Sequence, residues 1–142
     1  MRYLGIDLGS KTVGLALSDP MHIIASTYKT IFFANEDYES TIKEILEVIE
    51  EYQISKIILG LPKNMDNSLG ERAMITLEYK KLLESYTDIP IIMYDERLTS
   101  VISNNVLIEA DMSRKKRKKK VDSVAAQVIL QDYLNKENNN NE

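Results

Sequence analysis

The first twenty residues constrain the fold of this chain more tightly than any other segment. They read MRYLGIDLGSKTVGLALSDP, two apolar runs separated by a Gly-Ser-Lys turn. This pattern predicts an antiparallel hairpin of residues 2–8 and 12–19, with Gly9 and Ser10 in the turn. Asp7 lies inside the first apolar run, where an unpartnered carboxylate would be costly to desolvate. A metal ion or a phosphate-bearing substrate is the usual partner of a charge in such a place.

Two further acids occupy comparable positions at the ends of predicted core elements. Glu96 follows the strand-like segment IIMYD, and Asp122 opens the run VDSVAAQVIL. Together with Asp7 they predict a site for Mg²⁺ or Mn²⁺, hard cations that prefer oxygen ligands. Two such ions would stabilise both the attacking and the leaving oxygen of a phosphodiester hydrolysis. Taken separately, Glu96 and Asp122 also fit the plainer roles of cap or turn residues.

The remaining periodicities predict an α/β domain with the order βββαβαβαα. Alternating strands and helices after three antiparallel strands indicate a mixed five-stranded sheet with helices on both faces. The predicted elements after the hairpin are a strand over 22–33, a helix over 36–52 capped by Asn35, a strand over 56–61, a polar loop over 63–70, a helix over 71–86, a strand over 91–95, a helix from Thr99 and a final helix to Leu134.

Length and composition indicate one domain rather than several. The 142 residues, 44% apolar and 28% charged, fit a globular domain over 1–135 followed by a disordered tail over 136–142. The absence of cysteine excludes disulfides, thiolate zinc sites and cysteine nucleophiles. No apolar stretch approaches the ~18 residues of a membrane span, and the first residues do not resemble a signal peptide. We therefore expect a cytoplasmic protein that does not bind membranes.

A net charge of −4 conceals a strongly basic segment, RKKRKKK, over residues 114–120. It holds seven of the 18 basic residues, which leaves 11 against 22 acidic ones elsewhere. Such a run is either a solvated loop or a loop that contacts the phosphates of a nucleic acid. Its position just before Asp122 favours the second interpretation. The predicted phosphate contacts in it are Arg114, Lys115, Lys116, Arg117 and Lys118.

Other polar residues near the predicted acids are candidates for substrate binding. Asn64 lies in a loop rich in hydrogen-bonding groups, and Arg97 and Thr99 could hold the scissile phosphate. The alternatives are a surface ion pair for Arg97 and a helix cap for Thr99. His22, the single histidine, is expected to be structural, and the tyrosines offer no evident platform for stacking bases.

Four motifs, quoted in order along the chain, resemble the YqgF family, also called RuvX-like or pre-16S ribosomal RNA nucleases. They are GIDLGSKTVGLALSD, LGLPKNMDNSLGERA, YDERLTS and SRKKRKKKVDSVAAQVILQDYL, and the resemblance covers about residues 1–134. It implies an RNase H-like fold shared with Holliday junction resolvases. By resemblance, Asp7, Glu96 and Asp122 match the three acids with which this family binds metal ions. The chain departs from the family pattern at Thr12, where an arginine is usual, and at Asn67, where a glycine is common.

These observations predict a nuclease that depends on Mg²⁺ or Mn²⁺, with two ions at the three acids. A metal-bound water would attack phosphorus in line, while Arg97 and Lys11 neutralise charge on the phosphate. The leading substrate is structured RNA, at the 5′ end of pre-16S ribosomal RNA, and the protein would act as a monomer or homodimer. A four-way DNA junction is the first alternative. An ATP-binding domain like those of actin-like ATPases and sugar kinases, and a catalytically silent RNA-binding protein, are more distant ones.

Overall fold

Five strands form one mixed sheet in the order β3-β2-β1-β4-β5. The computed structural model describes residues 1–9, 11–34, 37–62, 70–95 and 114–140, and in the last helix it describes side chains over 124–138. The elements are β1 (Arg2–Leu8), β2 (Thr12–Ser18), β3 (Ala25–Phe32), α1 (Tyr38–Tyr52), β4 (Ile54–Leu61), α2 (Glu71–Glu84), β5 (Ile91–Asp95) and α3 (Arg114–Asn140). This architecture confirms the predicted α/β class. The helix predicted from Thr99 lies outside the described residues.

The first three strands are antiparallel and the sheet is mixed, as predicted. β1, β2 and β3 form an antiparallel meander, and β1 pairs in parallel with β4, which pairs in parallel with β5. The third strand begins at Ala25 instead of His22. The preceding residues form a turn in which the Asp19 carboxylate accepts hydrogen bonds from the N–H groups of Ile23 and Ile24. His22 has a left-handed backbone with φ 59°, so the chain cannot continue there as a strand.

Side chains alternate across β1, so its two faces meet different helices. Leu4, Ile6 and Leu8 pack in a core cluster with α1 and α2. Tyr3 packs on the other face, with apolar side chains of α3. Asp7, an odd-numbered residue, therefore shares the α3 face with Tyr3 and lies opposite the apolar row that surrounds it in sequence.

The first two helices lie where they were predicted but differ at their ends. Helix α1 buries Ile42 and Ile45 and begins at Tyr38, with Asp37 as an N-cap that makes no side-chain cap hydrogen bond. The predicted cap, Asn35, lies outside the described residues. Helix α2 ends at Glu84 instead of residue 86, so Tyr86 lies beyond the helix and is 51% exposed.

Helix α3 is much longer than predicted in both directions. Its backbone is helical from Arg114, so the prediction of a basic loop over 114–120 is wrong. The predicted end near Leu134 is also wrong, since the helix continues to Asn140 and includes residues assigned to a disordered tail. Contacts with distant residues hold this extension: the Glu137 carboxylate accepts a hydrogen bond from the Tyr3 hydroxyl at 2.9 Å, and the Asn138 amide donates one to the His22 carbonyl at 3.0 Å. Within the described ranges, no helix is both long and apolar enough to cross a membrane.

Candidate active site at the carboxyl edge of the sheet

The carboxyl ends of three parallel strands meet at one edge of the sheet. Ile6 of β1 pairs with Leu59 of β4, and Leu61 of β4 pairs with Asp95 of β5. Asp7 follows Ile6, and Glu96 is the next residue of the chain after Asp95. Crevices at the carboxyl ends of the strands of open α/β sheets commonly bind ligands. The topology therefore brings two of the three predicted acids to the same edge.

Asp7 occupies a half-buried position on the central strand, next to residues without side chains. It pairs with Gly14 across the antiparallel β1–β2 ladder. On the parallel side, the residue after Leu59, the partner of Ile6, is Gly60. Neither adjoining strand places a side chain directly beside the carboxylate on this face. That arrangement suits a carboxylate that must meet a bulky or hydrated partner.

The path of α3 brings the third predicted acid toward Asp7. A Cβ added to Gly5 would lie 2.9 Å from the Ala126 carbonyl oxygen and 3.0 Å from Leu130 Cβ. Further along the helix, Glu137 contacts Tyr3, so α3 runs antiparallel to β1. Asp122 lies one helical turn before Ala126, in the direction of Asp7. Its side chain is not among those that the structure describes.

Gly5 has no side chain, and the backbone of α3 occupies the space that a side chain would fill. The helix α3 packs so closely on this strand that its Ala126 carbonyl fills the place of a side chain. The close approach seats α3 over the central strand. It therefore positions the helix that carries Asp122.

Arg72 is a residue of this edge that the sequence reasoning missed. Its guanidinium Nη2 donates a hydrogen bond to the carbonyl of Leu8 at 2.9 Å, directly after Asp7 in the chain. Arg72 is the second residue of α2, where a cation meets the positive end of the helix dipole and is unfavourable. That unfavourable position was the available signal that the arginine serves something outside its own helix.

The structure describes some of the other predicted site residues in full, some by their backbone alone, and some not at all. Lys11 is exposed in the turn before β2, and its carbonyl accepts a hydrogen bond from the Phe33 N–H at 3.0 Å. The backbone of Arg114–Lys118 is helical and lies in the half of α3 that points past Asp7. Outside the described residues lie Asn64, Glu96, Arg97 and Thr99. Among the side chains that the structure does describe, no three acids or histidines form a group that could hold a metal ion.

A second polar cluster lies at the opposite edge, where it anchors the end of α3. Lys56 Nζ donates to the Tyr133 hydroxyl at 3.0 Å and lies 3.2 Å from Glu137 Oε2. Burial raises the pKa of the Glu137 carboxyl, but hydrogen bonds from Tyr3 and Lys56 outweigh burial and hold that pKa below its ordinary value. His22 stacks on the Tyr3 ring, with centroids 4.0 Å apart, which supports its expected structural role. We assign this cluster to stability rather than chemistry.

Comparison with solved structures defines the class of fold. RuvC of T. thermophilus, solved in complex with a Holliday junction substrate, matches with a TM-score of 0.58 at 12% identity, over 98% of this chain and 96% of that chain. The fowlpox virus Holliday junction resolvase matches with a TM-score of 0.60 at 14% identity, over 96% and 99% of the two chains. The protein therefore has the RNase H-like fold of the RuvC-type resolvases.

Sequence comparison identifies the family within that class. A family model described as "RuvX: Holliday junction resolvase" matches residues 1–136. A Clostridium acetobutylicum protein named "Putative pre-16S rRNA nuclease" is 50% identical over 135 residues, which are 95% of this chain and 98% of that protein. The chain belongs to the RuvX family. This finding confirms the resemblance that the four sequence motifs indicated.

Proposed function

We propose that this protein is a metal-dependent endonuclease that hydrolyses phosphodiester bonds of structured nucleic acid, with the 5′ end of pre-16S ribosomal RNA as its leading substrate. The observation that carries the proposal is the position of Asp7. It is a half-buried carboxylate at the carboxyl edge of the central strand, flanked by Gly14 and facing α3. Membership of the RuvX family supports nuclease chemistry at this place.

The donor set at this edge fits a hard divalent cation. Asp7 lies there on β1, Glu96 directly follows the last residue of β5, and Asp122 precedes by one turn the Ala126 carbonyl that packs on Gly5. All three offer carboxylate oxygens, the ligands that Mg²⁺ and Mn²⁺ prefer. The adjoining strand positions, Gly14 and Gly60, add no side chain of their own beside Asp7, which suits a site for hydrated ions. Two ions would be held by Asp7, Glu96 and Asp122.

The reaction needs a water oxygen to bond to phosphorus while the bond to a sugar oxygen breaks, in line with the attack. Divalent cations held by Asp7, Glu96 and Asp122 would offset the negative charge of the phosphate and of both of these oxygens. Asp7 would be the ligand with the most firmly held backbone, since the central strand is paired on both sides. Arg97 and Lys11 would contact the non-bridging phosphate oxygens and offset their charge. The positive charge of Arg72, bonded to the Leu8 carbonyl, lies beside the same edge.

The basic half of α3 extends the substrate surface beyond the acids. Seven consecutive basic residues on a helical backbone span about 10 Å at the usual rise of 1.5 Å per residue. Because α3 runs antiparallel to β1, this segment points past Asp7 and away from the sheet. It would hold phosphates flanking the scissile bond, which favours a double-helical or folded substrate. An enzyme that processes ribosomal RNA would act in the cytoplasm, here as a monomer or homodimer.

A four-way DNA junction is the second candidate substrate. The matched family model carries the description of a Holliday junction resolvase, and both solved neighbours are resolvases with the same fold. A carboxylate site that binds metal and phosphate is largely indifferent to the sugar. The choice between the two substrates therefore rests on the surfaces outside the acids.

A direct cleavage assay tests the proposal. The purified protein is incubated with Mg²⁺ or Mn²⁺ and equal amounts of a pre-16S 5′ hairpin RNA, a single-stranded RNA and a four-way DNA junction. We expect site-specific cleavage of the hairpin RNA, dependence on the cation, and loss of cleavage by Asp7→Asn. Asp88→Asn is the matched control, since Asp88 is an exposed acid at the opposite edge, before β5.

The outcomes separate the alternatives. Cleavage of the junction alone would assign the protein to the resolvases. Cleavage that survives in a well-folded Asp7→Asn protein would remove Asp7 from the chemistry. Failure of the parent to cut any of the three substrates with either cation would refute the nuclease proposal.

A further inference from the structure

Two adjacent phenylalanines at the end of β3 have opposite environments. Phe33 is buried in the core with 8% of its surface exposed, whereas Phe32 is 64% exposed. Phe32 is the last residue of β3, an edge strand of the sheet. Its ring therefore projects into solvent from a rigid, hydrogen-bonded backbone.

The strand register places Phe32 on the same face of the sheet as Asp7. Asp7 pairs with Gly14 on β2, and Gly14 pairs with Thr30 on β3. Directly paired residues of antiparallel strands share a face, and so do residues two apart in one strand. Phe32 lies two residues after Thr30 and therefore on the same face of the sheet as Asp7. Along the direction of β1 it lies two residues past Asp7, toward the carboxyl edge.

Sheet geometry sets the separation between the aromatic ring and the acid. Two strand spacings of about 4.8 Å and a two-residue step of about 6.7 Å put the two Cα atoms on the order of 12 Å apart. With about 3.4 Å between successive nucleotides of a stacked strand, that separation is roughly three nucleotides. One strand of nucleic acid can therefore reach both residues at once.

Lys11 links the two positions. The Phe33 N–H donates to its carbonyl at 3.0 Å, and Phe32 pairs with the next residue, Thr12. Lys11 is exposed in the turn that follows Asp7, and it directly precedes Thr12, the residue that pairs with Phe32. The lysine offers a partner for a phosphate and the phenylalanine a partner for a base, the two components of a single nucleotide.

We propose that Phe32 stacks on an unpaired base of the substrate, roughly three nucleotides from the bond that is cut, while Lys11 holds the adjoining phosphate. This inference rests on the proposed function, because it takes the bound strand to cross the face that holds Asp7. Aromatic side chains on the face of a sheet bind single-stranded RNA in this way in other folds. A stacking residue here positions the strand, and it selects substrates with an unpaired nucleotide at that distance.

A second copy of the chain is the other conceivable partner of Phe32, and the geometry favours the base. Association through the edge of a sheet uses the unpaired backbone groups of the edge strand. The Phe32 ring, in contrast, projects from the face of the sheet, where a base can stack on it. Thr12 and Thr30, its neighbours on that face, are small and polar, so the described side chains around Phe32 form no extended apolar patch of the kind that protein interfaces contain.

The test uses binding, so that it does not depend on catalysis. The probe is an RNA hairpin with a single-stranded 5′ flank that carries one 2-aminopurine, moved one position at a time, bound to Asp7→Asn protein with Mg²⁺. We expect fluorescence quenching at one flank position. Phe32→Ala should abolish the quenching and weaken binding about tenfold, and Phe32→Tyr should restore both. The salt dependence of binding should not change with Phe32→Ala, whereas Lys11→Ser should flatten it by about one contact.

Tyr86→Ala is the matched control, because Tyr86 is a similarly exposed aromatic residue, 51% accessible, at the opposite edge. Binding by folded Phe32→Ala within twofold of its parent, or equal losses in Phe32→Ala and Tyr86→Ala, would overturn the inference. So would a change of oligomeric state in Phe32→Ala without a change in quenching. If the parent sequence cleaves no nucleic acid but the quenching depends on Phe32, the proposed function fails and the stacking site stands.

Discussion

Replacement of Gly5 by alanine tests whether the packing of α3 on β1 controls both stability and the site. The added Cβ would lie 2.9 Å from the Ala126 carbonyl oxygen, half an ångström inside the 3.4 Å at which ordinary contact begins. The obstacle is helix backbone, which cannot rotate away as a side chain can. Either α3 or β1 must therefore shift by several tenths of an ångström.

The magnitude follows from two opposing effects. Overpacking of a tight core typically costs about 1–3 kcal/mol. A Gly→Ala change also restricts the unfolded chain and returns about 0.4–1 kcal/mol when the backbone angles are compatible, and none of the described glycines has positive φ. We expect Gly5→Ala to lower the free energy of unfolding by about 1–2 kcal/mol.

Gly9→Ala is the matched comparison, because the same methyl group meets a different obstacle. There the nearest atom, at 2.9 Å, is the Thr12 hydroxyl oxygen, which can move by rotation about χ1. Its cost should be smaller, and urea unfolding of both variants measures the difference. Equal destabilisation by the two substitutions would refute the argument that helix backbone is the obstacle at Gly5.

Three further predictions concern the two ends of α3. The folded-state pKa of Glu137 is depressed, so its stabilising contribution is present above the ordinary value of 4.5 and is lost as pH falls through the folded pKa. Urea unfolding between pH 7 and pH 3 should therefore show a smaller acid loss in Glu137→Gln than in the parent, and parallel curves would contradict this. Replacement of residues 114–118 by glutamine, which preserves helix propensity, should weaken binding to all RNA sequences and flatten the salt dependence by about 0.7 per lost contact with single-stranded RNA. If the salt dependence of binding did not change, residues 114–118 would be a solvated helix end that makes no phosphate contacts. Mn²⁺ should raise the melting temperature of the parent more than that of Asp122→Asn, since an amide binds a hard cation poorly but caps a helix about as well. Equal rises would leave Asp7 and Glu96 as the site.

Local sequence patterns were sufficient to predict the sheet. The hairpin of β1 and β2 follows from two apolar runs and a glycine turn, and the buried β4 from the unbroken run that Pro62 ends. These signals act between near neighbours in the chain, so one sequence contains them. The position of Asp7 on the central strand follows from the same patterns.

The length of α3 depends on contacts that no local pattern contains. Its ends are strongly polar, RKKRKKK at the start and NKENNN at the end, and neither shows the apolar periodicity that predicts a helix. The last turns are held by Tyr3, which is 134 residues away from its partner Glu137. Arg72 was missed for a related reason, since its hydrogen bond to the Leu8 carbonyl joins residues 64 positions apart. The role that we propose for Phe32 likewise depends on the strand register.

Helix α3 spans both edges of the sheet, so contacts near its carboxyl end can affect the position of its amino end. About 15 residues of helix, or about 22 Å, separate the anchor at Glu137 from Asp122. Between them the helix packs on Gly5 so closely that an added Cβ would lie 2.9 Å from the Ala126 carbonyl oxygen. A rigid helix that is fixed at one end and pressed against the central strand in its middle has little freedom left at the other end. If Asp122 binds the same ions as Asp7, the separation of these two acids is set by the packing on Gly5 and by the hydrogen bonds of Tyr3 and Glu137. In that case the contacts that stabilise the far end of α3 would also determine how far Asp122 lies from Asp7.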